Sequence, residues 1–427
     1  MQWVPNERYR KLKVTYRDQV YFDFQPETEI PFSEAEFDNR LLRVRAKMAQ
    51  DGIDCLLLTS PESMYYISGY ICMWYHTESP VEWPPSNGIA VHVDHQRFIH
   101  FETEREAVLT RTFTVSKDTR YFPKDSYRDG TRFIVDELKA EGWLKGRVGM
   151  EFWAMQPNRV ISQKIQTQFE VAGAEVVDGS HVLREIRWVK SQAEIECLEE
   201  SCRIATAGLN AAREVIRPGV TELEVQGEVI RALCAAGGEL QAMMMPVLSG
   251  GKSNAAHAVA TRKKIKAGET VTVDVAGVHK RYHMNAARTF SVGEPAKDVA
   301  AKASLAAGVM NVVRECLRPN LPVREFNERV KGYYEAHNLW DQRGWIGGYE
   351  MGIAFLSDWV GNMVYDPLVE KNADRLFEPG TAVNHEVQIF LPRFSGQFFM
   401  IESLLFKEDE VRLATHKVPY GLIICEG

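Results

Sequence analysis

The chain has 427 residues, 45% of them hydrophobic and 26% charged, with a formal net charge of −7. That length suits two domains rather than one. No run approaches the roughly 20 apolar residues of a membrane span, and the acidic balance lacks the basic face that a nucleic-acid backbone requires, so a small molecule is the expected partner.

The opening stretch, "MQWVPNERYRKLKVTYRDQVYFDF", carries positive charge but no apolar core or small-residue cleavage site; a secretory leader is not expected, and a cytoplasmic protein is. The seven cysteines, Cys55, Cys72, Cys197, Cys202, Cys234, Cys316 and Cys425, are odd in number and form no Cys-x-x-Cys pair. They read as reduced thiols, mostly in cores.

"FDNRLLRVRAKMAQDG" predicts a helix closed by Gly52, "DCLLLTS" a buried strand, "NGIAVHVDHQRFIHFE" a hairpin about Asp94 and His95, and "RVGMEF" a further strand. This mixture predicts an α/β domain over residues 1–188. The aromatic run "MYYISGYICMWYH" lies within it, either lining a pocket mouth or, for Tyr65 and Tyr66, filling the domain core.

From Ser191 the pattern turns helical. Ser191 and Glu194 make a Ser-x-x-Glu capping box, and Ile195, Leu198, Cys202, Ala205, Leu209, Ala212 and Ile216 recur every three or four residues until "RPG" stops the helix. A second helix starts at Thr221 with Glu224 completing its box. The segment "AREVIRPGVTELEVQGEVIRAL" then recurs as "VRECLRPNLPVREFNERVKGYY", offset by 101 residues. Strand-like runs follow each copy: "VTVDVAG" and "RYHMNAARTFSVG", then "TAVNHEVQIFLP" and "FFMIESLLF". Residues 189–427 are therefore expected to form a pseudo-twofold α+β domain, antiparallel sheet within and helices outside.

Asp274, Glu386 and Glu402 each interrupt an apolar strand run. A carboxylate there points either at solvent or into a polar cavity, and three on paired strands of a duplicated domain predict a shared cavity. His257, in the loop-like "SNAAHAVATRKKIKAG" just upstream, is a candidate acid or base, because an imidazole titrates near neutral pH. His283 and His385 neighbour site residues but face the other way along their strands. "SGGKS" lacks the glycine of a phosphate loop five residues before Gly251, where Pro246 stands, and reads as a turn.

These motifs carry a resemblance. "TVDVAGVHKRYHMNAARTFSVG", "GGYEMGIAFLSDW", "LFEPGTAVNHEVQIF" and "FFMIESLLFKEDEV" are similar in order and spacing to those of the pita-bread superfamily of aminopeptidase P, prolidase, methionine aminopeptidase and creatinase. "SNAAHAVATRKKIKAGE" and "ATHKVPYG" look most like creatinase; "AGVHKRYH" and "SDW" look more like ectoine hydrolase. The likeness implies a pita-bread domain after a creatinase-like α/β domain.

In the metal-dependent members, two aspartates, a histidine and two glutamates hold two cations. The resemblance places these positions on Asp274, Asn285, Tyr349, Glu386 and Glu402. Asn285 offers only a neutral carbonyl, and a tyrosine with a reference pKa of about 10 is a poor ligand. A metal-free hydrolase without cofactor is the expectation, with a single hard cation on Asp274, Glu386 and Glu402 left open. Without metal, three converging carboxylates repel, so one keeps its proton or a cationic ligand supplies charge.

The resemblance implies acid–base work for His257, a grip on a cationic group for Glu386, and a second base or nucleophile in Asp274. The implied reaction is hydrolysis of a non-peptide C–N bond in an amidine, guanidine or cyclic amidine of small zwitterionic form. An Xaa-Pro metallopeptidase and a non-catalytic binding module are the alternatives. Positions that would read creatine fall on Ala287 and His76, so creatine itself is not expected. Trp74, His76, Asn285, Tyr349 and Asp358 are the candidate substrate-binding residues, Trp74 by cation–π contact. The resemblance also implies a homodimer in which the amino-terminal domain contributes to the neighbouring active site.

Overall fold

Ser33 caps the first helix, its hydroxyl accepting from the Glu36 amide, and Gly52 in the left-handed region closes it. That helix, α1 (Glu34–Asp51), buries Phe37, Leu41, Val44 and Met48, spaced by three and four residues on one face. The computed structural model describes residues 28–72, 87–122, 130–392 and 396–426; Trp74 and His76 lie outside them. The described residues fall into two compact units that divide between Ile186 and Arg187.

In the first unit, the described strands are β1 (Cys55–Leu58), β2 (Gly88–His92), β3 (Phe98–Thr103), β4 (Thr119–Phe122), β5 (Gly146–Met150) and β6 (Ala174–Asp178), in sheet order β4-β3-β2-β1-β5-β6. β2 and β3 form the expected antiparallel hairpin, while β1, β5 and β6 run parallel. Tyr65 and Tyr66, in the helix Pro61–Ser68, are fully buried and so belong to the core.

The second unit opens with α2 (Gln192–Val215) and α3 (Glu222–Ala235), each started by a complete capping box at Ser191 and Thr221. The repeat is visible in the backbone: α3 has its counterpart in α4 (Val323–Ala336), 101 residues on, and the partner of α2 is broken at Gly308 into Lys297–Ala307 and Val309–Cys316.

Among the described residues, nine strands make the sheet: β7 (Val247–Ser249), β8 (Thr270–His279), β9 (Tyr282–Val292), β10 (Arg343–Tyr349), β11 (Val364–Tyr365), β12 (Ala382–Phe390), β13 (Gln397–Phe406), β14 (Val411–Leu413) and β15 (Ile423–Cys425). Their order is β11-β10-β12-β13-β9-β8-β7, with β14 added to β13 and β15 to β9.

Each helix pair covers one half of this sheet. Ile204 and Val229 pack on Val271, Val273, Val275 and Phe290; Val313, Phe326 and Val330 pack on Val383, Val387, Met400 and Leu404. Contact is closest at Gly277, where an added Cβ would lie 1.9 Å from the Ser201 carbonyl oxygen of α2. Because strand residues alternate in direction, this apolar set leaves the opposite face to Asp274, Asn285 and Glu386. Among the described residues no helix is long and apolar enough to cross a membrane.

Candidate active site

Five paired strands bring the site together in one row: Asp274 opposite Ala287, Ala287 opposite Ile401, Ile401 opposite Glu386, and Glu386 opposite Gly347. Directly opposed residues share a face, so Asp274 and Glu386 look into the same space. Asn285 and Tyr349 join it two residues along their own strands.

Glu402 does not. It lies opposite His385, one residue out of phase with Glu386, and its carboxylate is bound on the helix-covered side. Arg288 Nη2 is 2.7 Å from Glu402 Oε2, and the Thr415 amide and hydroxyl each donate at 2.6 Å. The expected three-carboxylate cavity is therefore a two-carboxylate one. A guanidinium buried in the same strand pair neutralises the third.

At the centre stands the Tyr349 hydroxyl. It accepts from Trp359 Nε1 at 3.0 Å and Asn285 Nδ2 at 3.2 Å, and it is hydrogen-bonded to Glu386. The indole N–H and the amide N–H only donate, so the phenol proton is directed to the carboxylate. Asn384 Nδ2 donates to Glu386 Oε1 at 3.0 Å, and Gln388 Nε2 lies 3.5 Å from Oε2. Trp359 was missed in the sequence; its signal, an N–H donor beside the singled-out Asp358, was there.

The two carboxyls differ in support. Burial raises Glu386 to about 7, while the hydrogen bonds from Tyr349, Asn384 and Gln388 pull the other way. Burial, and next the charge of Glu386, push Asp274 well above the usual carboxylate range. Asp274 Oδ1 has no hydrogen-bond partner among the described residues. Among the described residues three neutral donors favour the anion at Glu386 and none reaches Asp274 Oδ1, so Asp274 is the member of the pair that holds a proton more readily. Burial, then Glu386 and Asp274, also lift the Tyr349 phenol well above its ordinary value, which keeps it neutral.

His257 sits in an exposed turn after the short helix Gly250–Asn254. The loop's two ends are fastened by one side chain. Glu222, fully buried at the start of α3, accepts from the Ser249 amide and hydroxyl at 2.9 and 2.8 Å, and from the Thr261 amide and hydroxyl at 3.0 Å each. Lys252 Nζ, the lysine of "SGGKS", completes the cluster at 2.6 Å. Although burial opposes ionisation, the Lys252 and Ser249 hydrogen bonds hold Glu222 below the ordinary range.

Asp358 is exposed, and its carboxylate accepts from the Val360 amide. It is thus a turn residue, and the side chain of this loop that reaches the Tyr349 hydroxyl is Trp359. His385 is buried on the other face, where it packs edge-on against Phe326. His283, expected to face away, lies two residues from Asn285 and opposite Val278 and so shares the site face, its ring centroid 6.4 Å from that of Trp359 and its Nε2 accepting from the Ala242 amide at 3.0 Å.

The residues present do not fit a pair of cations. Asn285 and Tyr349 are neutral, Glu402 is taken by Arg288, and among the described residues no group of three or more His, Cys, Asp or Glu side chains is arranged to hold a metal ion. The single-cation alternative on Asp274, Glu386 and Glu402 fails for the same reason, because Glu402 faces away.

Residues 196–411 match metallopeptidase family M24, and residues 40–189 the creatinase/prolidase N-terminal domain. The chain belongs to family M24, a family of hydrolases, and has its pita-bread architecture. It is 25% identical over 360 residues to ectoine hydrolase of Halomonas elongata, covering 78% of this chain and 84% of that one. It is 25% identical over 402 residues to creatinase of a Bacillus species, covering 91% and 92%. The Xaa-Pro dipeptidase from Bacillus anthracis superposes with a TM-score of 0.72 at 22% identity, over 90% of this chain and 99% of that one, which shows the shared fold.

Proposed function

We propose that this chain hydrolyses a non-peptide C–N bond in a small zwitterionic amidine, guanidine or cyclic amidine, without a metal. One observation carries the proposal: Asp274 and Glu386 share a buried face with a neutral Asn285 and Tyr349 beside them. An anionic carboxylate next to a protonated one suits a substrate that brings its own positive charge. The similarity to ectoine hydrolase and creatinase points the same way.

The cationic group lies against Glu386. A water oxygen bonds to the substrate carbon as its proton passes to His257, and the C–N bond breaks as Asp274 gives its proton to the leaving nitrogen. In this reading His257, exposed on the loop whose ends Glu222 fastens, reaches that water from the loop. In a homodimer, Trp74 and His76 of the amino-terminal domain complete the neighbouring site.

The test is turnover of creatine, ectoine, hydroxyectoine and linear and cyclic amidines, beside Xaa-Pro dipeptides, each with and without EDTA. Chelator-insensitive release of product from an amidine or guanidine, abolished by His257→Ala, is expected. Cleavage of a dipeptide that EDTA stops and Mn²⁺ restores would sink the proposal in favour of a metallopeptidase.

A further inference from the structure

The face that carries Asp274 and Glu386 continues beyond them. Two residues along lie Thr272 and Thr289 on β8 and β9, with Phe399 and Gln388 on β13 and β12; two further, Gln397 stands opposite Phe390. Ala287, Ile401 and Phe399 form an apolar floor between the ends.

Some polar groups on this face are satisfied. Thr289 Oγ1 both donates to and accepts from the Phe399 backbone, at 2.9 and 2.8 Å, and Gln388 turns toward Glu386. Others are not. Thr272 and Gln397 are 0% and 1% exposed, yet Thr272 Oγ1 and Gln397 Nε2 have no hydrogen-bond partner among the described residues. An unpaired buried donor is costly and rare. The strand at Gln397 is firmly placed, its backbone amide donating to Ser253 Oγ at 3.1 Å. On β10, Gly344 comes close to both glutamines: an added Cβ would lie 3.0 Å from Gln388 Oε1 and 3.7 Å from Gln397 Oε1, so no side chain of that residue stands between them and the face.

We propose that Gln397, aided by Thr272, is the specificity-determining end of the substrate site, its amide N–H receiving a carboxylate or carbonyl oxygen of the molecule whose cationic nitrogen meets Asp274 and Glu386. This rests on the hydrolase proposal above. At a strand rise of about 3.3 Å per residue, Ile401 and Gln397 are about 13 Å apart; with side chains reaching in from both ends, the ligand is a short linear zwitterion. A neutral amide suits this role, since a buried lysine or arginine would compete with the substrate's cation for the carboxyl pair.

Calorimetric titration with 3-guanidinopropionate and n-propylguanidine separates the outcomes, because the two probes differ in the carboxylate. The wild-type chain is expected to bind 3-guanidinopropionate about tenfold or more tightly. Gln397→Leu removes that advantage and leaves n-propylguanidine binding unchanged, which also reports an intact fold. Gln397→Glu favours agmatine, with a cation at both ends, over 3-guanidinopropionate. Equal wild-type affinity for the two probes, or equal losses for both in Gln397→Leu, overturns the assignment while the hydrolase proposal stands. Binding of neither probe by the wild type overturns the assignment, and the hydrolase proposal is then decided by the turnover of amidines and cyclic amidines.

Discussion

Arg288 and Glu402 form an ion pair with both side chains wholly excluded from solvent, 2.7 Å apart, on the face of the sheet turned away from Asp274 and Glu386. Its consequence is a separation of roles between two glutamates that look alike in sequence. Removing one member of such a pair strands a buried charge, at a cost of about 3–5 kcal/mol. Glu402→Ala is therefore expected to lower unfolding stability by about that amount in urea, while turnover per folded molecule stays within about twofold. Arg288→Met with Glu402→Leu should recover much of the loss, since apolar replacements leave no charge behind. Loss of turnover in a stably folded Glu402 variant would return this residue to the active site.

Glu386 makes stability depend on pH. Its folded value of about 7 lies above the ordinary 4.5, so the native state binds its proton more tightly than the unfolded chain. The stabilisation is full below about pH 4.5 and is lost as pH rises through about 7. A shift of this size corresponds to something on the order of 3 kcal/mol. Glu386→Gln is expected to flatten the decline in stability between those limits, measured by urea unfolding at several pH values. Tyr349→Phe removes a donor to the anion and should move the acidic limb of the kcat/KM profile upward by about one unit; an unmoved limb would mean that the Tyr349 proton goes elsewhere.

Glu222 acts on the loop rather than on substrate. Glu222→Gln keeps the shape but weakens the charge-assisted bond to Lys252 and turns an amide group toward the donors at one end of the loop. Hydrogen exchange should rise severalfold in residues 249–261 with α3 unchanged, and kcat should fall more than KM rises. Uniform exchange across the second unit would assign Glu222 to global stability instead.

Gly277 tests the helix-to-sheet approach. A Cβ 1.9 Å from the Ser201 carbonyl and 2.6 Å from the Ala205 amide cannot be accommodated without moving α2. Gly277→Ala is expected to cost about 3 kcal/mol or more in chemical unfolding, at the upper end of overpacking effects. Gly227→Ala, where nothing lies within 4 Å, is the control and should be neutral or slightly stabilising.

Much of the architecture was legible because it rests on local rules. Both capping boxes, the Gly52 stop, the hairpin at Asp94 and the 101-residue repeat appear in the structure where the sequence places them. The phase of Glu402 was not legible. β12 and β13 are buried on both faces almost throughout, so apolar alternation says little about which way a carboxylate points, and the pairing of Glu402 with His385 is a property of the assembled sheet. Arg288 was the available clue, since a guanidinium in a buried strand requires a carboxylate partner. Asp358 drew attention by its charge, whereas the neighbouring Trp359 makes the contact through a neutral N–H that charge patterns do not register.

Among the described residues, Asp274 Oδ1, Thr272 Oγ1 and Gln397 Nε2 have no hydrogen-bond partner, and this costs the protein stability. Each isolated buried polar group costs about 1–3 kcal/mol, so a molecule that satisfies all three raises the melting temperature by more than its affinity for any one of them would give. Heat resistance thus becomes an assay of chemical fit. A library of small zwitterions ranked by melting temperature alone should bring the natural substrate to the top before any product has been detected.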